Sequence, residues 1–171
     1  MLIKKNKIII IHSNNNIISK QFIGTMKANA PHRKGPRNCI CGKSIGMLFE
    51  NEVNILNKLN KYNHFPKLLN TNKEKKILYM SYCGKTIYEL KKKKCLKIPK
   101  DWKNQIDEIN NALNEENIYN NDICHTNVCL DNDVIYLIDF GCVQPLDLKL
   151  KQNYDGRDNL IDLTNLINKY L

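Results

Sequence analysis

Residues 122–141 read Asp-Ile-Cys-His-Thr-Asn-Val-Cys-Leu-Asp-Asn-Asp-Val-Ile-Tyr-Leu-Ile-Asp-Phe-Gly, and this stretch decides the fold. Residues 128–130 and 134–138 are short apolar, β-prone runs, and Asp131-Asn132-Asp133 between them is turn-forming. A hairpin over these residues brings Asn127 and Asp139 to the same open end. Asp122 lies five residues upstream of Asn127, in a loop at that end. Two carboxylates and an amide oxygen then converge, all hard donors of the kind Mg²⁺ takes when it also holds phosphates.

Residues 102–116 carry Trp102, Ile106, Ile109 and Leu113 in line, the pattern of an amphipathic helix that leads into Ile118-Tyr119-Asn120-Asn121-Asp122. Residues 47–62 form a second helical pattern, with Leu48, Ile55, Leu56, Leu59 and Tyr62 on one stripe. Glu52 falls on that stripe, whereas Glu50, Asn54, Asn57 and Lys61 fall on the polar face. A carboxylate on a buried stripe is costly unless a cation pairs with it. Glu52 is therefore singled out, and Glu50 is its solvated counterpart. Strands are expected at 7–12, 17–23, 65–69 and 77–82, with polar turns at 13–16 and 70–76. Residues 160–171 offer Leu160, Leu163, Ile167, Tyr170 and Leu171 to a core as a last helix.

With 171 residues the chain is one domain or two small lobes sharing a cleft. A formal charge of +10 invites a nucleic-acid reading. Much of that charge is scattered among Asn and Ile, a usage that points to an AT-rich genome. Aromatics are not interleaved with the lysines, and no reader motif appears, so a nucleic-acid partner is not expected. Only residues 91–94 form a lysine run, whose default is a solvated helix face or loop. Four apolar residues at 8–11 are too few for a signal-peptide core or a membrane span. Seven cysteines at scattered spacings give no disulfide framework, which fits a reducing, cytoplasmic compartment. Cys39-Ile40-Cys41 with His32 lacks the spacing of a zinc site. Gly42-Lys43-Ser44 resembles the end of a phosphate-binding P-loop, but the glycine it needs falls at Arg37.

Asp-x-x-x-x-Asn at 122–127, followed by a strand and Asp-Phe-Gly at 139–141, resembles the catalytic and metal-binding loops of the protein-kinase-like superfamily. The order of elements is similar to that of the small kinase-like proteins of large DNA viruses over residues 17–143. The resemblance implies an α+β, minimal bilobal protein-kinase-like fold. Residues 1–83 would be a small antiparallel-sheet N-lobe bearing the Glu52 helix, and 84–171 a truncated helical C-lobe. It implies ATP and Mg²⁺, with Mn²⁺ as a substitute. Asp122 would orient the attacking hydroxyl, and Asn127 and Asp139 would hold the metal. Lys20, on a strand that resembles the family's lysine strand, would pair with Glu52 and bind phosphates. Lys27, Lys34 and Lys43 compete for that place. Tyr82 and Cys83 would be the linker whose backbone meets the adenine edge.

The chain also departs from the family pattern. Asn120 stands where a histidine is expected, and Cys124 and His125 replace a lysine or histidine. His125 is read as a solvent-facing loop residue or a proton shuttle. No Gly-x-Gly-x-x-Gly exists, since the first turn is Ser13-Asn14-Asn15-Asn16. No Ala-Pro-Glu follows Gly141, and Asp155 or Asp158 would open a shortened lobe helix. The expected function is a minimal serine/threonine protein kinase acting on a protein hydroxyl, with a partner protein completing the C-lobe. A pseudokinase binding module and a small-molecule kinase on the same fold are the alternatives. A virion or host-cell cytoplasm follows if the chain is viral.

Overall fold

Ile17-Ile18-Ser19-Lys20-Gln21-Phe22 alternates inward and outward, and its period of two turns Lys20 and Phe22 onto the same buried face. This strand belongs to a computed structural model that describes residues 2–5, 9–14, 16–23, 45–120, 122–141, 143–145 and 158–171. Lys27, Lys34, Lys43, the Cys39/Cys41/His32 group, the Gly42-Lys43-Ser44 triplet and Asp155 lie outside the described residues.

β1 (Leu2–Lys5), β2 (Ile9–Asn14), β3 (Ile17–Phe22), β4 (Leu68–Asn72) and β5 (Ile77–Ser81) form one antiparallel sheet in the order β1-β2-β3-β5-β4. Lys20 pairs with Leu78 of β5 across the ladder. α1 (Ile45–Leu59) packs on this sheet through Leu48, Phe49, Ile55, Leu56 and Leu59. Phe49 meets Phe22 edge-on at 5.8 Å, which fixes the helix over β3. Glu52 is on this buried face at 1% exposure, whereas Glu50 is exposed.

The strand expected at 65–69 starts later, at Leu68, and continues to Asn72. Pro66 has no N–H for a ladder, and Phe65 is instead a core residue that contacts the rings of Tyr62 and Phe140.

The remainder is built on β6 (Lys85–Thr86), α2 (Ile87–Lys92), α3 (Trp102–Glu115), β7 (Ile118–Tyr119), β8 (Val128–Asp131), β9 (Val134–Leu137), β10 (Gln144–Pro145) and α4 (Asp158–Asn168). β6, β8 and β9 make a three-stranded sheet, and β7 pairs with β10. Asn132 and Asp133, the two residues between β8 and β9, both have positive φ (49° and 62°). That is the mirror-image turn whose twist suits a two-residue hairpin. α3 packs Ile106, Ile109 and Leu113 against β9 and α4, whose Leu163 and Ile167 are fully buried. No helix among the described residues is long and apolar enough to cross a membrane.

Candidate active site

The β8–β9 register pairs Val128 with Leu137, so the residues just beyond, Asn127 and Ile138, close the open end. The Ile138 N–H donates to the Asn127 carbonyl at 2.9 Å. Asp139 follows immediately, at the point where the chain leaves the hairpin. Its φ of 68° lies in the left-handed region, which aspartate visits more readily than most side chains.

Lys20 meets this turn from β3, across the space between the two sheets. Its Nζ donates to Glu52 Oε1 at 2.9 Å, to Glu52 Oε2 at 2.6 Å and to Asp139 Oδ1 at 2.8 Å. Burial alone would push Lys20 down, but Asp139 and Glu52 outweigh it and hold the ammonium above its ordinary range. Burial pushes the Glu52 carboxyl up to about 7, against the pull of Lys20 and of a hydrogen bond from the Phe140 backbone. Lys20 thus reaches Glu52, while the other lysines considered for this place lie outside the described residues.

Asp122 and Asn127 form the second cluster. Asn127 Nδ2 donates to both the Asp122 carbonyl and Asp122 Oδ2, each at 3.0 Å. Both amide hydrogens are thereby used, and Oδ1 remains as an acceptor, with only a long contact of 3.4 Å from Thr126 Oγ1. Asn127 is buried and Asp122 exposed, so the pair runs from the interior to solvent. Asn120, in the place of the expected histidine, accepts a hydrogen bond at Oδ1 from the Asp122 N–H at 3.0 Å.

A cleft of about 560 Å³ runs past the Lys20–Glu52–Asp139 cluster and Asn127. Lys20, Glu52, Asn127 and Asp139 line one part, and Ile18, Met80, Cys83, Cys129 and Ile138 give it apolar walls. The size and the mixture of apolar walls with a few convergent polar groups suit a small-molecule ligand. Tyr82 and Cys83 border it, but the Tyr82 N–H already donates to the Asn16 carbonyl at 2.8 Å. The Cys83 N–H makes no hydrogen bond among the described residues, so it is the linker donor available to a ligand. Burial pushes the Cys83 thiol up to about 12, so it stays protonated.

Three features had not been foreseen. His125 is half-buried rather than solvent-facing, because its ring stacks on Tyr88 at 5.3 Å and its carbonyl accepts from the Tyr88 N–H. Gly84 has φ +82°, and a Cβ there would lie 2.1 Å from the Leu130 carbonyl oxygen. Only glycine lets the linker pass β8 so closely. Asn51, beside Glu52, bonds three carbonyls in the segment after Asp139. Nothing in local sequence marks Asn51, whereas a glycine after a strand was a readable signal.

The donor chemistry fits a divalent cation with a nucleotide. Asp139 and Asn127 supply hard oxygens, and Lys20 supplies a fixed positive charge beside them. Among the described residues no cluster of three His, Cys, Asp or Glu side chains forms a self-sufficient metal cage.

Solved structures of WbdD share this architecture. A co-crystal structure of WbdD with the kinase inhibitor LY294002 aligns with a TM-score of 0.61 at 15% identity, covering 98% of this chain and 36% of that one. A structure of the bifunctional kinase-methyltransferase WbdD aligns with a TM-score of 0.57 at 16% identity, covering 92% and 34%. The chain thus spans about a third of the solved chains it matches, and at this identity the likeness shows the fold alone, a small bilobal kinase-like one. No curated protein matches the chain. The sequence itself matches the RIO domain over residues 4–158, and the chain belongs to the RIO domain family.

Proposed function

We propose that this protein is an ATP- and Mg²⁺-dependent phosphotransferase, a minimal serine/threonine protein kinase with an N-lobe at residues 1–83 and a truncated C-lobe at 84–171. The observation that carries the reading is Lys20 held between Glu52 and Asp139 in the wall of an apolar cleft. The RIO domain match supports it at the level of a kinase-like phosphotransferase.

ATP would lie with its base between Ile18, Met80 and Cys129 and its edge toward the Cys83 peptide. Lys20 would bind the phosphates, with Glu52 keeping its ammonium aimed. Asn127 Oδ1 and Asp139 would hold Mg²⁺, which when bound would supply positive charge against the phosphates. Asp122, exposed and bonded to the cleft-lining Asn127, would accept or orient the proton of the attacking hydroxyl. Asn127 would couple the two tasks, since its Nδ2 holds Asp122 while its Oδ1 would be left for the cation.

A second reading, a small-molecule hydroxyl as acceptor, is favoured by one observation. Only 16 residues separate Gly141 from Asp158, where α4 opens, which leaves little chain for a peptide platform. The kinship with viral kinase-like proteins and a reducing, cytoplasmic setting belong to the same proposal; Cys83, Cys95, Cys124 and Cys129 are free thiols.

The test is transfer from radiolabelled ATP to a generic protein substrate, to a panel of small hydroxyl compounds and to the chain itself, with Asp122→Ala as the control. Label on protein that disappears in Asp122→Ala supports the kinase. Label on small molecules alone selects the second reading. No transfer, with ATP still raising the melting temperature, leaves a pseudokinase.

A further inference from the structure

Asn51 is half-buried on α1, one residue before Glu52. Its Nδ2 donates to the carbonyls of Phe140 at 3.1 Å, Gly141 at 3.1 Å and Val143 at 2.7 Å. A primary amide has two N–H groups, so three acceptors on one short segment engage its whole donor capacity. Glu52 accepts from the Phe140 backbone N–H. Consecutive residues of one helix therefore hold the N–H and the C=O of the same residue, the one that follows Asp139. A Cβ on Gly141 would be only 3.3 Å from Glu52 Oε2, so the segment lies directly against the helix.

Asp139 has φ 68°, a conformation that persists where the surrounding structure over-determines it. Relaxation of that φ would swing the carboxylate off Lys20 and out of the cleft wall. Among the contacts that oppose this are the Lys20 bond at its side chain and the Glu52 and Asn51 bonds at the next peptide.

We propose that Asn51 is a positioning residue for metal binding: by tying Phe140, Gly141 and Val143 to α1, it keeps the Asp139 carboxylate turned into the cleft. The metal-binding turn and the helix bearing Glu52 then move as one body, and the site is assembled before nucleotide arrives. The metal-binding part of this inference rests on the proposed function, whereas the tether itself does not.

The experiment uses the full chain and Asn51→Leu, which keeps the approximate volume and removes both donors. In nucleotide-free protein, hydrogen exchange of the amides of Phe140 and Gly141 is expected to speed up by about tenfold, as a local opening becomes easier. With ATP, the Mg²⁺ concentration giving half-maximal thermal stabilisation is expected to rise by about fivefold or more. Adenosine binding, which needs neither Asp139 nor metal, is expected to stay within about twofold and reports an intact cleft. Unchanged exchange together with an unchanged Mg²⁺ requirement overturns the proposal. If Asn51→Leu is insoluble, Asn51→Ser takes its place, with the same effects expected at reduced size and the same unchanged results overturning it. A wild-type chain that shows no Mg²⁺-dependent stabilisation by ATP refutes the proposed function, and the exchange arm then decides the tether alone.

Discussion

Lys20 is 3% exposed and Glu52 is 1% exposed, so their ion pair is nearly cut off from water. Such pairs contribute little net stability when intact, but removing one partner is costly because a buried charge is left behind. Lys20→Met should therefore lower unfolding stability by about 3–5 kcal/mol in a urea titration, as well as weakening ATP. Glu50→Ala, on the exposed face of the same helix, should stay within about 0.5 kcal/mol. Equal losses in the two variants would mean that the ion pair is not what holds this side of the molecule.

The Glu52 carboxyl gives a second prediction with a definite sign. Its value rises from 4.5 to about 7 in the folded chain, with burial as the largest cause. Folding then takes up a proton in this window, so the contribution is complete below 4.5 and is lost as pH climbs through about 7. The stability of the wild type relative to Glu52→Gln should fall between pH 5 and 7 and level off above. A relative stability that rose with pH would show that Lys20 outweighs burial and pulls the carboxyl down instead.

At the level of elements, the crossing of the β5–β6 linker over β8 depends on one missing side chain. In Gly84→Ala the new Cβ would meet the Leu130 carbonyl oxygen at 2.1 Å and Asp131 Cβ at 2.7 Å, and φ +82° would add strain. The obstructing carbonyl is backbone and cannot swing aside, so a loss of at least about 2 kcal/mol is expected in thermal or urea unfolding. A loss below about 0.5 kcal/mol would show that the linker can lift off β8 freely. Thiol chemistry reads the same crossing. Cys83 and Cys129 are buried with their thiols pushed up, whereas Cys95 is exposed and Cys124 half-exposed. An alkylating reagent on native protein at neutral pH should label Cys95 and Cys124 and leave Cys83 and Cys129 intact. Fast labelling of Cys129 would mean that the cleft floor opens.

These elements also show where sequence stops informing. The β8–β9 hairpin was legible because turn chemistry and apolar runs agree within ten residues. The facing of α1 was legible because one acid broke an otherwise apolar stripe. Lys20 could be named only with three rivals, since the contact that selects it spans 32 residues of chain. Asn51 was invisible for a related reason: it faces carbonyls 89 to 92 residues away, and the polar side of a helix looks the same whether it meets water or backbone. α2 could have been found, for Thr86-Ile87-Tyr88-Glu89 is a capping box with both reciprocal bonds in place.

Across the whole molecule, the last helix reaches the loop that holds Asp122 through two asparagines. Asn159, fully buried near the start of α4, accepts from the Asn120 N–H at 3.0 Å and donates to the Ile118 carbonyl at 3.1 Å. Asn120 in turn accepts from the Asp122 N–H at 3.0 Å. α4 is also seated on α3 by Leu163 and Ile167, so the last helix, β7 and the loop holding Asp122 share one buried junction. Replacing Asn159 by leucine would leave one buried donor and one buried acceptor without partners, at about 1–3 kcal/mol each. The expected loss is roughly 2–6 kcal/mol in a urea titration, a large part of what a domain this size commands. Asn159→Asp keeps the acceptor for Asn120 but sets a carboxylate oxygen against the Ile118 carbonyl. It should fall between wild type and leucine if the Asn120 bond carries the junction, and match or exceed leucine if the Ile118 bond does. The consequence for function separates as well. Because the relay ends on Asp122 and not on Lys20, the leucine variant at a temperature where it is folded should keep its ATP affinity within about threefold while phosphoryl transfer drops further. Equal losses in binding and transfer would show that the junction supports the cleft as a whole and has no particular hold on Asp122.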